Sequence, residues 1–282
     1  MRSRLRIGST LVATLVLLVF VDGWVGYPVV SGLILLGLTF ESQRELMRML
    51  APGESALWVL LCTLLLFVGV ALGSRGAEHV GVWEITGGVA VAAQVIFLIA
   101  ATGRMARGPA HPERLAPWLA SSSLALLWLG APMAVLWSLV VGRTGGEGSL
   151  LAVVLVLLCK CADIGGYLGG TLFGRRRIMP HVSPKKSYEG SLTGLILTLL
   201  AAWGVQSVAP NLLEGLDSWK LAAFAVVINL FSQAGDFAES MVKRSVGIKD
   251  SGSLLPGFGG ALDIIDSLTL AIPAAVGLLG LI

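Results

Sequence analysis

Three stretches in the second half of this 282-residue chain set carboxylates at helical spacing inside otherwise apolar sequence. Asp163, Gly166, Tyr167, Gly170 and Phe173 follow i, i+3, i+4, i+7, i+10, so one helix face presents an acid, a phenol and glycines. Asp236, Glu239, Ser240 and Lys243 repeat the pattern after the polar approach Asn229, Ser232 and Gln233, and Asp263, Asp266 and Ser267 begin it again. Two segments supply bases. GRRRIMPHVSPKKSYE, residues 174 to 189, holds five Lys or Arg and one acid, suits phosphate oxygens, and reads at Ser183-Pro184 as a helix-entry turn. KDSGSLLPGFGGALD sets Lys249 and Asp250 before a Gly-rich turn whose backbone N–H groups, at a helix N-terminus, can bind an anion. Acids on several helix ends beside such bases are what a divalent cation would join, because Mg2+ takes one or two carboxylates plus substrate phosphates and water. The implied chemistry is phosphoryl or nucleotidyl transfer at a membrane surface. No Walker A motif, kinase signature or Ser/His/Asp set is visible, so direct in-line displacement is simpler than a covalent route.

These residues need a membrane bundle to hold them. Apolar side chains make up 55% of the chain and charged ones 13%, and the mean hydropathy is +0.85; soluble domains carry about 25% charged residues. Expected spans run over 7–21, 28–40, 56–73, 85–103, 116–141, 150–173, 190–208, 220–235 and 261–282, the first two forming a tilted hairpin around Asp22 to Tyr27. Sixteen of the twenty Lys and Arg then fall in alternate segments on one side, three on the other, and Lys160 inside a span. By the positive-inside rule this gives a cytoplasmic N-terminus and nine crossings of a lipid bilayer. The fold expected is an all-α, polytopic transmembrane bundle, with 1–145 a variable N-terminal region and 146–282 the catalytic region. A charge at the centre of a span costs about 3 kcal/mol on insertion scales, so acids and Lys160 at membrane depth must share an aqueous cavity. Cys62, Cys159 and Cys161 form no disulfide framework and are read as small buried hydrophobes, while His79, His111 and His181 fall in separate loops without zinc spacing. A net charge of +3 is too small for a nucleic-acid binder. Glycines at 165, 166, 169 and 170 give small-xxx-small pairs for close helix packing, and such faces hint at a homodimer.

The segment from Ser240 to Ser267 closely resembles the phosphatidate cytidylyltransferase (CDP-diacylglycerol synthase) family. Ser240, Lys243, Arg244, Lys249, Asp250, Pro256, Gly257, Gly259, Gly260, Asp263 and Asp266 occupy the family's pattern of Ser, Lys-Arg, Lys-Asp, Pro-Gly-x-Gly-Gly and Asp-x-x-Asp. A second block resembles it through Asp163, Tyr167, Phe173, Gly174, Ser183, Pro184, Lys185, Lys186, Ser187, Glu189 and Gly190. The likeness covers roughly residues 155 to 270. It implies an inner-membrane enzyme, its site facing the cytoplasm, that joins CTP and phosphatidate into CDP-diacylglycerol and pyrophosphate. It further implies Mg2+ held by Asp236 and Asp263, with room for a monovalent cation such as K+ beside it. Asp236, Lys243, Arg244, Lys249, Asp250, Asp263 and Asp266 are then the catalytic set, and Asp163, Tyr167, Ser183, Lys185, Lys186, Ser187, Glu189, Ser240, Gly259 and Gly260 the substrate-binding set. Phe258 and Ile264 depart from the commonest pattern, which has His and Arg there.

Blander readings stand beside these. Asp163 with Lys160 can be a structural ion pair, Asp266 can orient the turn, Tyr167 can simply pack, and Lys185 and Lys186 can anchor the loop. At the level of the whole protein, a CTP-dependent transferase or kinase for another lipid phosphate fits the same residues. A membrane transporter would use buried Asp and Lys as a pathway, but its inverted repeats would put polar residues in both halves, and here they gather in one.

Overall fold

The computed structural model describes residues 21–25, 27–76, 82–106, 115–143, 147–254 and 259–281. Its helices are α1 (Val29–Leu50), α2 (Leu57–Gly76), α3 (Val82–Ala106), α4 (Leu115–Leu124), α5 (Ala131–Gly142), α6 (Glu147–Leu172), α7 (Tyr188–Val208), α8 (Ser218–Ser245) and α9 (Ala261–Leu281). Among the described residues six stretches are long and apolar enough to cross a membrane: Leu57–Ser74, Leu115–Gly142, Glu147–Leu172, Tyr188–Val208, Ser218–Ser245 and Ala261–Leu279. The chain is thus a multi-pass helical membrane protein. Of the other expected spans, 7–21 lies almost wholly outside the described residues, 28–40 is the first half of α1, and 85–103 falls in α3, whose apolar stretch is the shorter Gly87–Ile99.

The chain divides into two compact units, residues 1–149 with 250–264 and residues 150–249 with 265–282. The division near residue 149 is joined by a second one, because the Asp263 turn belongs with the N-terminal helices.

In the first unit α2 is apolar on every face, and Leu72 on α2 and Val91 and Ile99 on α3 point outward, as residues bathed by lipid do. Inside, Phe97 and Trp118 pack with ring centroids 5.3 Å apart. Helix α4 passes into α5 through a π turn, Ala125–Gly130. Pro132 follows at once, and a proline both lacks an N–H and crowds the carbonyl four residues back, so the widened turn relieves it. Gln43 donates to the Ala125 carbonyl (3.2 Å) and accepts from Thr63 Oγ1 (2.9 Å), keeping these buried polar groups satisfied in an apolar setting. Helix α1 runs ten residues past the expected end at 40, since Thr39, Ser42, Gln43 and Glu45 are buried in the unit rather than left in a loop. Its start is capped by the buried Asp22, which accepts from the amides of Val30 (2.9 Å) and Ser31 (3.1 Å).

In the second unit the glycines of α6 meet those of α7. A Cβ on Gly165 would lie 2.7 Å from Gly194 Cα, and one on Gly190 would lie 2.6 Å from the Gly166 carbonyl, so the backbones approach without side chains between them. Between these helices the expected loop over 174–189 holds a short ribbon, and the helix-entry turn expected at Ser183-Pro184 is corrected. Residues 177–179 and 183–187 form a two-stranded antiparallel ribbon, β1 and β2, and Ser183-Pro184 opens a strand instead of a helix. The ribbon forms because a tight turn at 180–182 brings Arg177 opposite Ser187, and Pro184 tolerates a ribbon with open edges. Helix α7 starts at Tyr188, where the Ser187 hydroxyl accepts from Gly190 N (3.1 Å).

Candidate active site

Helix α8 runs ten residues past the expected span end at 235 and carries Asp236, Glu239, Ser240 and Lys243 down one face. Carboxylate oxygens of Asp236 and Glu239 and of Asp266 on α9 lie within 4.8 Å of one another. The helices can close to that distance because residue 235 is glycine; any Cβ there would collide with the Asp266 carbonyl oxygen. Glu239 is 1% exposed and Asp266 8%, so mutual repulsion is poorly screened by water. Two ammonium groups offset it. Lys186 Nζ stands 2.5 Å from Asp236 Oδ2, and Lys243 Nζ 2.6 Å from Glu239 Oε2. Three clustered oxygen donors of this hardness fit Mg2+ chemistry. Ser240 Oγ reaches Asp236 Oδ1 at only 3.5 Å, the outer limit of a hydrogen bond.

Lys160 and Asp163 on α6 form an ion pair, Nζ to Oδ2 3.0 Å, and both bind the Ser267 hydroxyl of α9, at 2.9 Å and 3.1 Å. Tyr167, at 65% exposure, and Phe173 lie on the outside.

The basic ribbon is built by residues that hold backbone. Glu189 accepts from the amides of Arg175 (3.0 Å) and Arg176 (3.2 Å), Arg177 donates to the Lys185 carbonyl (2.8 Å), and Arg244 donates to the carbonyls of Val182 (3.4 Å) and Ile248 (2.8 Å). Lys185, Arg175 and Arg176 are exposed, Ser183 is half-buried, and Lys186 turns inward over the Phe237 ring, 4.1 Å from its centroid. Lys249 and Asp250 are exposed.

Asp263 belongs to the other unit. Its Oδ2 accepts from Ser251 N (3.1 Å), Ser251 Oγ (2.8 Å) and Gly260 N (2.7 Å). Gly259 makes this wrap with φ +92°, a conformation other residues rarely adopt. The Gly260 amide therefore serves the chain's own carboxylate, and the next two amides, Ala261 N and Leu262 N, serve Glu45 of α1, at 3.0 Å and 2.9 Å. Ile264 is half-buried, while Pro256, Gly257 and Phe258 lie outside the described residues, as do His79 and His111. His181 is exposed, and all three cysteines are free thiols, with Cys62 and Cys159 buried.

Glu239 is absent from the expected site set although its spacing from Asp236 signals it. Glu45 lies in a stretch that reads as a loop, and no local signal marks it.

A helical membrane protein with clustered acids and inward-turned lysines is the class these observations define. Residues 2–282 match the family described as the cytidylyltransferase family, and the chain belongs to it. It is 43% identical over 130 residues to a phosphatidate cytidylyltransferase of Haemophilus influenzae, covering 45% of this chain and 44% of that one. Identity to the phosphatidate cytidylyltransferase of Pseudomonas aeruginosa is 39% over 177 residues, 60% of this chain and 62% of that one. An Escherichia coli protein named only as uncharacterized protein YnbB is 38% identical over 138 residues, 49% of this chain and 45% of its own. The chain thus spans about half the length of the curated relatives it matches.

Proposed function

We propose that the protein is a Mg2+-dependent CTP:phosphatidate cytidylyltransferase, making CDP-diacylglycerol and pyrophosphate for phospholipid synthesis. The observation that carries this reading is the Asp236, Glu239 and Asp266 cluster with Lys186 and Lys243 against it, in a chain matched along its length by the cytidylyltransferase family. Asp236 and Asp263 are the proposed metal ligands, the second on the resemblance of its motif, and a K+ ion beside them follows from the same resemblance. When bound, Mg2+ supplies positive charge to the triphosphate.

The chain's own groups do the rest. A phosphate oxygen of phosphatidate attacks the α-phosphorus of CTP as the bond to the β-phosphate breaks and pyrophosphate leaves. That lipid phosphate is ionised at neutral pH, so no strong base is needed and positioning carries most of the rate. Lys186, Lys243, Lys185 and the exposed arginines face phosphate oxygens, Lys249 and Asp250 join the catalytic set on the resemblance of their motif, and Ser187, Glu189, Arg244, Gly259 and Gly260 hold the loops in shape. Nine crossings, with the site at the cytoplasmic face, are supported by the distribution of basic residues, and an inner membrane by the family resemblance.

Purified protein given labelled CTP and phosphatidate tests this. CMP should enter the lipid, with one pyrophosphate released per transfer, only when Mg2+ is present. Transfer only from ATP, or only onto a different lipid phosphate in a panel, would overturn the substrate assignment.

A further inference from the structure

We propose that Glu45 of α1 is a positioning residue for Asp263, setting that carboxylate through the start of α9 and the Ser251 hydroxyl. The inference rests on the reading of Asp263 as a metal ligand. Glu45 is 3% exposed. Its Oε1 accepts from Ala261 N, its Oε2 from Leu262 N, and Ser251 Oγ lies 2.8 Å from Oε2. Ala261 and Leu262 open α9, so their amides have no acceptor within the helix, and a carboxylate there also meets the positive end of the helix dipole.

The turn is shaped around this side chain. A Cβ on Gly252 or on Gly260 would run into the Glu45 carboxylate, so glycine at both positions makes the room. The Ser251 hydroxyl stands 2.8 Å from Glu45 Oε2 and 2.8 Å from Asp263 Oδ2, one hydrogen between two acids. Glu45 itself is fixed, because Leu46 and Met47 beside it and Ser42 and Gln43 on the preceding turn are all buried. A surface serine could cap a helix; burying an anion far from its partners in sequence is an expensive way to do so. What the carboxylate adds is a rigid reference for Ser251 and Gly260, two residues that bind Asp263. Groups that orient a metal ligand this way change metal affinity by about 10- to 100-fold when removed.

The full-length protein, Glu45→Gln and Ser251→Ala are compared in lipid nanodiscs by three readouts. These are the Mg2+ concentration for half-maximal CMP transfer, the KM for phosphatidate, and amide exchange across residues 250–264. Glu45→Gln should raise the Mg2+ midpoint about tenfold or more, leave the KM for phosphatidate within twofold, and speed exchange at 251 and 260–262. Faster exchange with an unchanged Mg2+ midpoint would reduce Glu45 to a structural cap and overturn the proposal, as would no change in either. If Glu45→Gln fails to fold, Ser251→Ala, which leaves the cap intact, carries the test: its Mg2+ midpoint should rise, and an unchanged one overturns the inference. Should the parent protein transfer nothing from CTP, the functional reading falls, and Mg2+ binding by calorimetry decides the inference instead: affinity about tenfold weaker in Glu45→Gln supports it, and unchanged affinity overturns it.

Discussion

Lys186, on a strand of the basic ribbon, and Asp236, fifty residues further along on α8, meet at 2.5 Å with the ammonium group resting over the Phe237 ring. The pairing puts a cation from the phosphate-seeking loop directly on the acid cluster. A positioned donor of this kind is worth about 10²- to 10³-fold in kcat. Lys186→Ala should therefore lower the transfer rate at saturating CTP about a hundredfold, whereas Lys185→Ala, whose phosphate contact is exposed and screened by water, should lose only about fivefold. Equal losses in the two variants would remove the special role of the inward lysine.

Neutralising the cluster should be more damaging. Charge stabilisation of the triphosphate by a held Mg2+ is worth several kcal/mol, and 1.36 kcal/mol is tenfold in rate. Asp236→Asn is expected to reduce transfer about a thousandfold and to weaken Mg2+ binding measured by calorimetry. Chelation of the parent protein should abolish transfer, and added Mg2+ should restore it.

Two glycines with positive φ separate strain from contact. Gly247, at φ +75°, ends α8 with nothing near a would-be Cβ, while Gly259, at φ +92°, leaves no room because Asp263 fills that space. Gly247→Ala should cost about 1–2 kcal/mol of stability and keep its activity. Gly259→Ala should suffer the same strain and lose activity as well. Thermal unfolding and initial rates on the two variants check this contrast.

Between α6 and α7 the prediction is for stability alone. Gly194→Val would force the valine against the Ala162 carbonyl, and overpacking typically costs about 1–3 kcal/mol. The variant should unfold at lower temperature while the KM for CTP in its folded fraction holds. A changed KM at unchanged stability would contradict packing as the role of these glycines.

The long spans were legible in sequence because length and apolarity are local properties: α2, α6 and α7 fall within a few residues of expectation. The acid stripe of α8 was legible for the same reason, its three- and four-residue spacing surviving into the structure as a shared face. The ribbon at 177–187 was not, because three arginines, two prolines and two lysines over 175–186 carry the composition of a loop and strand pairing is a property of two segments at once. The expected span ends at 40 because Glu41, Arg44, Glu45 and Arg48 end the apolar run, whereas buried polar residues carry helix α1 on to Leu50. Glu45 was hidden most completely, its partner Ala261 lying 216 residues away.

The close fit of one acid on α1 against glycines 252 and 260 also limits how this protein can be recombined. The amino-terminal helices are not an interchangeable anchor. A chimera that takes residues 1–149 from another member must bring an acid at position 45 to a turn hollowed to receive it. A donor with a shorter side chain leaves a void there, and a bulkier one meets backbone. Exchange of the front half therefore works only as a matched set of three positions, two of them more than two hundred residues downstream.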